Sequence, residues 1–354
     1  MKRIIMRIHK HFLVLSLIIF ILACFCFDGC KKDAVTDSNV LSGNYTIYTA
    51  GFLFSNMNFP CYWKGTSRTD LPGGIGAFTS SIFVSNGIVY TAGYYYNSKG
   101  SQAPCYWMGT TKVDLPYDST QGGYTNSIFV SNGNVYTSGH YTTGNKGLPC
   151  YWINSVRYAL MDSANWAFIS SIYVVDTTVY LAGWHSLDKI SPNAVPCYWV
   201  GKTRTDLSIG SSSSGGANSL YVSGGVVYTC GSYGDMGNSI PCYWTGTVKT
   251  DLETGASGSA VSICIDGGNI YTAGSLTQGG PCYWKGTSRT DLNGSDAVSI
   301  SVKGGTVFTA GRYYKPNGPN DDFHVPCYWI GNTRVDLPVV IDHDHNSTTS
   351  IFVE

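Results

Sequence analysis

The chain has 354 residues, only 12% of them charged, with 22 basic and 22 acidic side chains in balance. That charged share is about half the usual one for globular proteins, and Gly, Ser, Thr and Tyr take its place. No basic stripe is present, which argues against a nucleic-acid partner.

The first segment reads as a targeting signal. Lys2, Arg3, Arg7 and Lys10 form a positive start, and Phe12 to Phe27 is an apolar run too short to favour a spanning helix. Asp28-Gly29-Cys30-Lys31-Lys32-Asp33 follows, in the order of a bacterial lipoprotein signal. Cys30 is the expected lipidation site by position. Cys24, preceded by Ile21-Leu22-Ala23, is the alternative by residue type. A plain secretory signal with incidental cysteines is the competing reading. The division is therefore a signal peptide over 1–29, a polar tether over 30–43 and a folded domain over 44–354, with the membrane as partner through the lipid. Removing 1–29 takes away four basic residues and Asp28, which leaves 18 basic and 21 acidic side chains. An exported outer-membrane lipoprotein is expected, facing the cell surface or the periplasm.

From residue 44 onward one unit repeats. Pro-Cys-Tyr-Trp occurs seven times, beginning at Pro60, Pro104, Pro149, Pro196, Pro241, Pro281 and Pro326, at spacings of 44, 45, 47, 45, 40 and 45 residues. Each unit holds four short apolar blocks, here named A to D. In the second copy these are Ser81–Val84, Val89–Gly93, Cys105–Trp107 and Lys112–Leu115. Asn86-Gly87 between A and B supplies the positive φ of a tight hairpin. β-Branched and aromatic residues fill the blocks, turn residues bound them, and no stretch shows sustained helical periodicity. The chain starts its repeats at a B block, Tyr45–Gly51, and ends on a lone A block, Ser350–Val353. These two fragments complete one unit. The expected fold is all-β: a seven-bladed β-propeller of four-stranded antiparallel blades, one blade closed by the N- and C-terminal strands. A monomeric ring is implied.

The recurring residues are expected to serve the scaffold. Equivalent cysteines on neighbouring blades lie about 15 Å apart, beyond the ~7 Å reach of a disulfide, and read as small buried hydrophobes. One bridge is conceivable, Cys230 to Cys242, if the end of strand B faces the start of strand C. The tryptophans and tyrosines are expected as interblade core rather than as seven sugar subsites. In block D a basic residue precedes Asp by two positions, as in Arg68 and Asp70. This is expected as an edge charge rim.

Tyr-Trp-x-Gly, then Asp-Leu, a Ser-Ile strand and Val-Tyr-Thr-Ala-Gly resemble the extracellular repeats of the HAF type. They are also similar to propeller repeats of Gram-negative surface lipoproteins. The likeness covers roughly residues 44–354. It implies fold and location, and no settled activity.

Function is expected on one face. The B–C loops and the D-to-A crossings are long and varied, and variable loops on a rigid ring carry binding. They hold the candidate binding residues Tyr94, Tyr95, His140, Tyr141, Trp166, Trp184, His185, Tyr233 and Tyr313. A divalent metal is conceivable at Asp342, His343, Asp344 and His345 with His324; no other cofactor is implied. No nucleophile elbow, zinc-protease motif or phosphate loop is present, and the chain holds only two glutamates, Glu253 and Glu354. The expectation is a membrane-anchored binding or interaction module whose ligand is a protein or a glycan. The alternatives are a lectin-like binder with repeated sites and an extracellular lyase or glycosidase.

Overall fold

The computed structural model describes residues 45–55, 57–73, 76–143, 146–160, 166–186, 193–235, 238–316, 322–339 and 346–354. The expected signal, the tether, Cys24, Cys30 and Asp342 to His345 lie outside them. Among the described residues no helix is long and apolar enough to cross a membrane.

Among the described residues twenty-eight strands form seven sheets of four, and each sheet runs A–B–C–D with every neighbour antiparallel. The protein is a seven-bladed β-propeller. The first blade takes strand A from the C-terminal Ser347–Val353, then Ile47–Ser55, Met57–Lys64 and Ser67–Asp70. The remaining A strands are Phe78–Ser85, Gly123–Ser131, Trp166–Val175, Ser214–Ser223, Gly258–Asp266 and Asp296–Lys303. Each A strand touches the next around the ring, and Ser347–Val353 touches both the second and the seventh. The closure register pairs Ile47 with Val353 and Thr49 with Ile351. Thr46 and Glu354 exchange two backbone hydrogen bonds of 3.0 Å.

Alternation in Cys-Tyr-Trp ties each blade to both neighbours. Cys105 and Trp107 pack on Leu71 of the first blade, while Tyr106 packs with Ala92 against Ile128 and Trp152 of the third. Successive strand residues point to opposite faces, so three residues serve two interfaces. All seven repeat tryptophans are no more than 1% exposed. The leucine that follows strand D is the floor on which the next tryptophan rests. Its N–H bonds the carbonyl of the repeat proline in every blade, from Leu71 to Pro60 at 2.9 Å through Leu337 to Pro326 at 2.9 Å.

At the inner edge of each blade, an unpaired strand edge would leave backbone groups unsatisfied. Every A strand carries a β-bulge one residue before its inner serine, as between Thr79 and Ser81. That serine hydroxyl then accepts the backbone N–H of the next blade: Ile128 to Ser81 at 3.3 Å, Ile172 to Ser127 at 3.2 Å, Ile351 to Ser299 at 3.2 Å. The bulge pushes the A strand toward B. The facing B residue is therefore glycine, since a methyl group on Gly93 would overlap the Phe78 carbonyl oxygen. Phe352, Phe83, Phe129, Tyr173 and Tyr221 line one arc of the inner ring near the A–B turns, with centroids 4.7 to 4.9 Å apart.

The register corrects one expectation. The residue opposite the C-strand cysteine is the B-strand glycine, Gly231 for Cys242, and Cys230 pairs with Tyr243 instead. Adjacent positions face opposite ways, so Cys230 packs toward the sixth blade and Cys242 toward the fourth. Both are thiols, and no bridge joins them.

Removing Ser350–Glu354 should strip the first blade of its inner strand and unburden Ile351 and Val353 from the core. We expect the melting temperature to fall on the order of 10 °C or more. An unchanged melt in differential scanning calorimetry would contradict closure by the two ends.

Candidate functional site

At the end of the ring that carries the B–C loops, each blade presents one A-strand residue paired with one B-strand residue. The B-strand member follows the repeated glycine. The seven pairs are Ser347–Phe52, Phe78–Tyr94, Tyr124–His140, Phe168–Trp184, Gly216–Ser232, Ser259–Ser275 and Asp296–Arg312. The scaffold repeats, but these pairs do not. Blades one to four are aromatic, blades five and six are small or hydroxylic, and blade seven holds an ion pair.

The aromatic members touch in sequence around the mouth. Phe52 lies 4.8 Å from Phe78, Phe78 stacks on Tyr94 at 5.6 Å, and Tyr94 meets Tyr124 at 6.2 Å. The His140 ring stands edge-on to Tyr124 at 3.7 Å, and Phe168 stacks on Trp184 at 6.1 Å and 13°. The arc ends where Trp184 approaches Gly216, at 3.6 Å from the place a Cβ would take. Beyond it opens a cleft of about 570 Å³, lined by Gly215, Gly216, Ser232, Asp235, Asn193 and Asn238 among others. Blade five has no aromatic at its pair positions, and both members, Gly216 and Ser232, line the cleft.

Among the seven pairs only Asp296 and Arg312 carry charge. Arg312 Nε bonds Asp296 Oδ2 at 2.6 Å, which matches one charge with another. Burial pushes the Asp296 carboxyl above its usual range, and Arg312 pulls against it. Burial also lowers the pKa of His140 to about 4, so its imidazole is neutral at pH 7. The Tyr124 phenol is pushed up to about 12, first by burial and then by Tyr94.

The other candidates divide. Tyr95, Tyr141, Tyr233 and Tyr313 sit one residue further along strand B and face the other way, over the block-D charges. Lys112 lies 3.3 Å above the Tyr95 ring, Lys249 3.2 Å above Tyr233, and the guanidinium carbons of Arg157 and Arg334 3.9 and 3.5 Å above Tyr141 and Tyr313. Tyr233 donates to Asp251 at 3.0 Å and Tyr313 to Asp336 at 2.9 Å. These contacts hold the outer strand to the blade. The basic residue and Asp of strand D pair directly, as Arg68–Asp70 at 2.8 Å and Arg204–Asp206 at 2.9 Å show. Tyr141 also lines a shallow recess of about 480 Å³ with Tyr117 and Asp118. His185 takes the tyrosine's place in blade four and bonds Asp206 at 3.0 Å. Trp166 pairs with Ser186 at the outer start of its strand. His324 is buried beside Tyr314, with ring centroids 4.3 Å apart.

So the structure brings Tyr94, His140 and Trp184 together. It sets Tyr95, Tyr141, His185 and Tyr313 over the block-D charges, places Tyr233 both there and in the lining of the cleft, and leaves Trp166 on an A strand and His324 buried on a C strand. Sequence reading reaches the first three but not Phe52, Phe78, Tyr124, Phe168, Asp296 and Arg312. The signal is available: within strand B the repeats diverge most sharply directly after the glycine.

The sequence matches no protein-family model, and no curated protein matches it. Solved structures do. One is described as a structure of a new family of polysaccharide lyase, PL25, an ulvan lyase. It shares 12% identity at a TM-score of 0.50, over 75% of this chain and 83% of that one. Another is a puromycin-hydrolysing peptidase from Mycobacterium tuberculosis, at 11% identity and a TM-score of 0.50, over 75% of this chain and 46% of that one. At these identities the likeness is one of fold.

His140 makes stability depend on pH. Below its ordinary pKa of 6.5 the unfolded chain takes up a proton that the folded chain refuses until about pH 4. Stability is therefore full above pH 6.5 and falls as the pH drops toward 4, by about 3 kcal/mol at most. His140→Gln should flatten that part of the profile in denaturant titrations at pH 7 and pH 5. An equal loss in both proteins would place the titrating group elsewhere.

Proposed function

We propose that the protein is an extracytoplasmic carbohydrate-binding module whose ligand lies across the loop-face mouth of the propeller. One observation carries this reading: the aromatic arc from Phe52 to Trp184 runs into a polar cleft at Gly216 and Ser232. Flat aromatic faces suit the apolar faces of sugar rings, and the hydroxyls, amides and carboxylate of the cleft suit their edges. The cleft volume of about 570 Å³ falls within the ordinary range for small-ligand sites. The lyase neighbour, which by its description acts on a polysaccharide, supports this reading through its fold. We place the module in the cell envelope, held by a lipid on Cys30 or Cys24. Mass spectrometry of the membrane fraction should find an acylated cysteine at the mature N-terminus.

A catalytic reading has one observation in its favour. His140 is neutral at physiological pH and in contact with Tyr124, so the mouth holds a base beside a phenol. General acid–base chemistry works best with groups that titrate near the operating pH, and His140 at about 4 and Tyr124 at about 12 stand well away from pH 7, which weighs against this reading. A glycan-binding screen run alongside a depolymerisation assay separates the two readings.

For a glycan retained in that screen, Trp184→Ala should weaken binding about tenfold or more. Tyr158→Ala should leave it unchanged, since Tyr158 lies on an outer strand and stacks only on Tyr151. Calorimetry would show both. Equal affinity of wild type and Trp184→Ala, or a screen without any glycan, would defeat the proposal.

A further inference from the structure

We propose that the fourth blade binds a divalent cation of zinc-like chemistry through His185, Cys197 and Asp206, independently of any glycan. The three offer an imidazole nitrogen, a sulfur and a carboxylate oxygen, all within 4.8 Å of one another. The sheet register builds the set. Cys197 on strand C pairs with Gly183 on one side and with Asp206 on the other. His185 stands two residues beyond Gly183 and so shares its face. His185 is 2% exposed and Cys197 fully buried, whereas the Asp206 side chain is 49% exposed. Two donors are thus fixed by packing and the third opens to solvent.

The repeat supplies its own comparison. A cysteine paired with an aspartate across strands C and D recurs in the first, second, fifth, sixth and seventh blades. The position of His185 is held there by Leu53, Tyr95, Tyr233, Leu276 and Tyr313. Leucine offers no ligand atom. A tyrosine at this place stays a neutral phenol, as with Tyr313, pushed up to about 12 by burial and by Asp336. Of the three side chains found at this position, imidazole is the one suited to ligate a divalent cation at neutral pH. Only the fourth blade combines all three donors.

The geometry fits. Zinc takes nitrogen and oxygen at about 2.0–2.2 Å and sulfur at about 2.3 Å, so tetrahedral donors stand roughly 3.3–3.8 Å apart. His185 Nε2 and Asp206 Oδ1 are 3.0 Å apart before any adjustment. His185 Nδ1 is buried with no hydrogen-bond partner among the described residues, so the imidazole is not saturated. Three protein donors leave a fourth position, on the solvent side at Asp206, for water. Without a cation Asp206 is held by His185 and by Arg204 Nε at 2.9 Å. Cation binding replaces the His185 contact, and the Cys197 thiol releases its proton to solvent. Thiolate and carboxylate then offset the two positive charges, and affinity rises with pH.

The test uses cobalt(II) and zinc on the whole protein, by equilibrium dialysis and absorption spectroscopy. Wild type should take up one equivalent of cobalt with a thiolate-to-cobalt charge-transfer band, and zinc should displace it. His185→Tyr recreates the arrangement of the second and fifth blades, so it should melt like wild type. It should bind cobalt on the order of 100-fold more weakly or worse. If that variant fails to fold, Asp206→Asn on the exposed rim decides by the same reading. Wild type without a thiolate band, or either variant binding like wild type, would overturn the site and leave His185 as a plain substitute for tyrosine.

Discussion

Everything in this propeller depends on one contact, the seating of each repeat tryptophan on the leucine of the preceding blade. The tryptophan's own sheet covers only one side of it. It reaches 1% exposure or less only because another blade lies against it. Burying so large a side chain stabilises by several kcal/mol, and losing it costs about 3–5 kcal/mol. A single blade therefore has little reason to fold alone, and a ring lacking one blade leaves one tryptophan without a floor. Joining Ile47–Ser55 to Ser347–Val353 removes that gap.

The scaffold explains where diversity is allowed. Cysteine, leucine, the bulge and the B-strand glycine are each bound to a neighbour by a contact that a different residue would break. The glycine is the strictest case, because the bulged A strand brings a carbonyl oxygen into the space of its missing Cβ. The residue directly after it faces the mouth and has no such duty. It is Phe52, Tyr94, His140, Trp184, Ser232, Ser275 and Arg312 in turn. A column free of packing duty beside a column without freedom is where binding chemistry can vary at little cost in stability.

Much of the fold was legible because the same physics is written seven times. Asn-Gly and Gly-Gly turns gave the hairpins, and Asn86 and Gly87 take the positive φ values that such turns require. The lone A block at Ser350–Val353 gave the closure. The strand register was less legible. Nothing in residues 226 to 245 says whether alanine or glycine opposes the cysteine, and a shift by one residue exchanges the faces, as Cys230 shows. The bulge that decides it arises from backbone geometry at the inner edge. The site was half legible for a related reason. Tyr94 and Tyr95 look alike in sequence, yet one faces the mouth and the other lies under Lys112. His140 and His185 differ in the same way. The ion pair of Asp296 and Arg312 joins residues sixteen apart, which only the sheet pairing brings together.

The central claim is that ligand chemistry sits at the loop-face mouth and not in seven repeated places. A crystal structure of the protein with a bound oligosaccharide tests it most directly. The account predicts one ligand, with a sugar ring against the exposed face of Trp184 and its hydroxyls directed toward Ser232, Asn193 and Asn238. Sugars bound repeatedly along the outer rim, at the basic and aspartate pairs of successive blades, would contradict it.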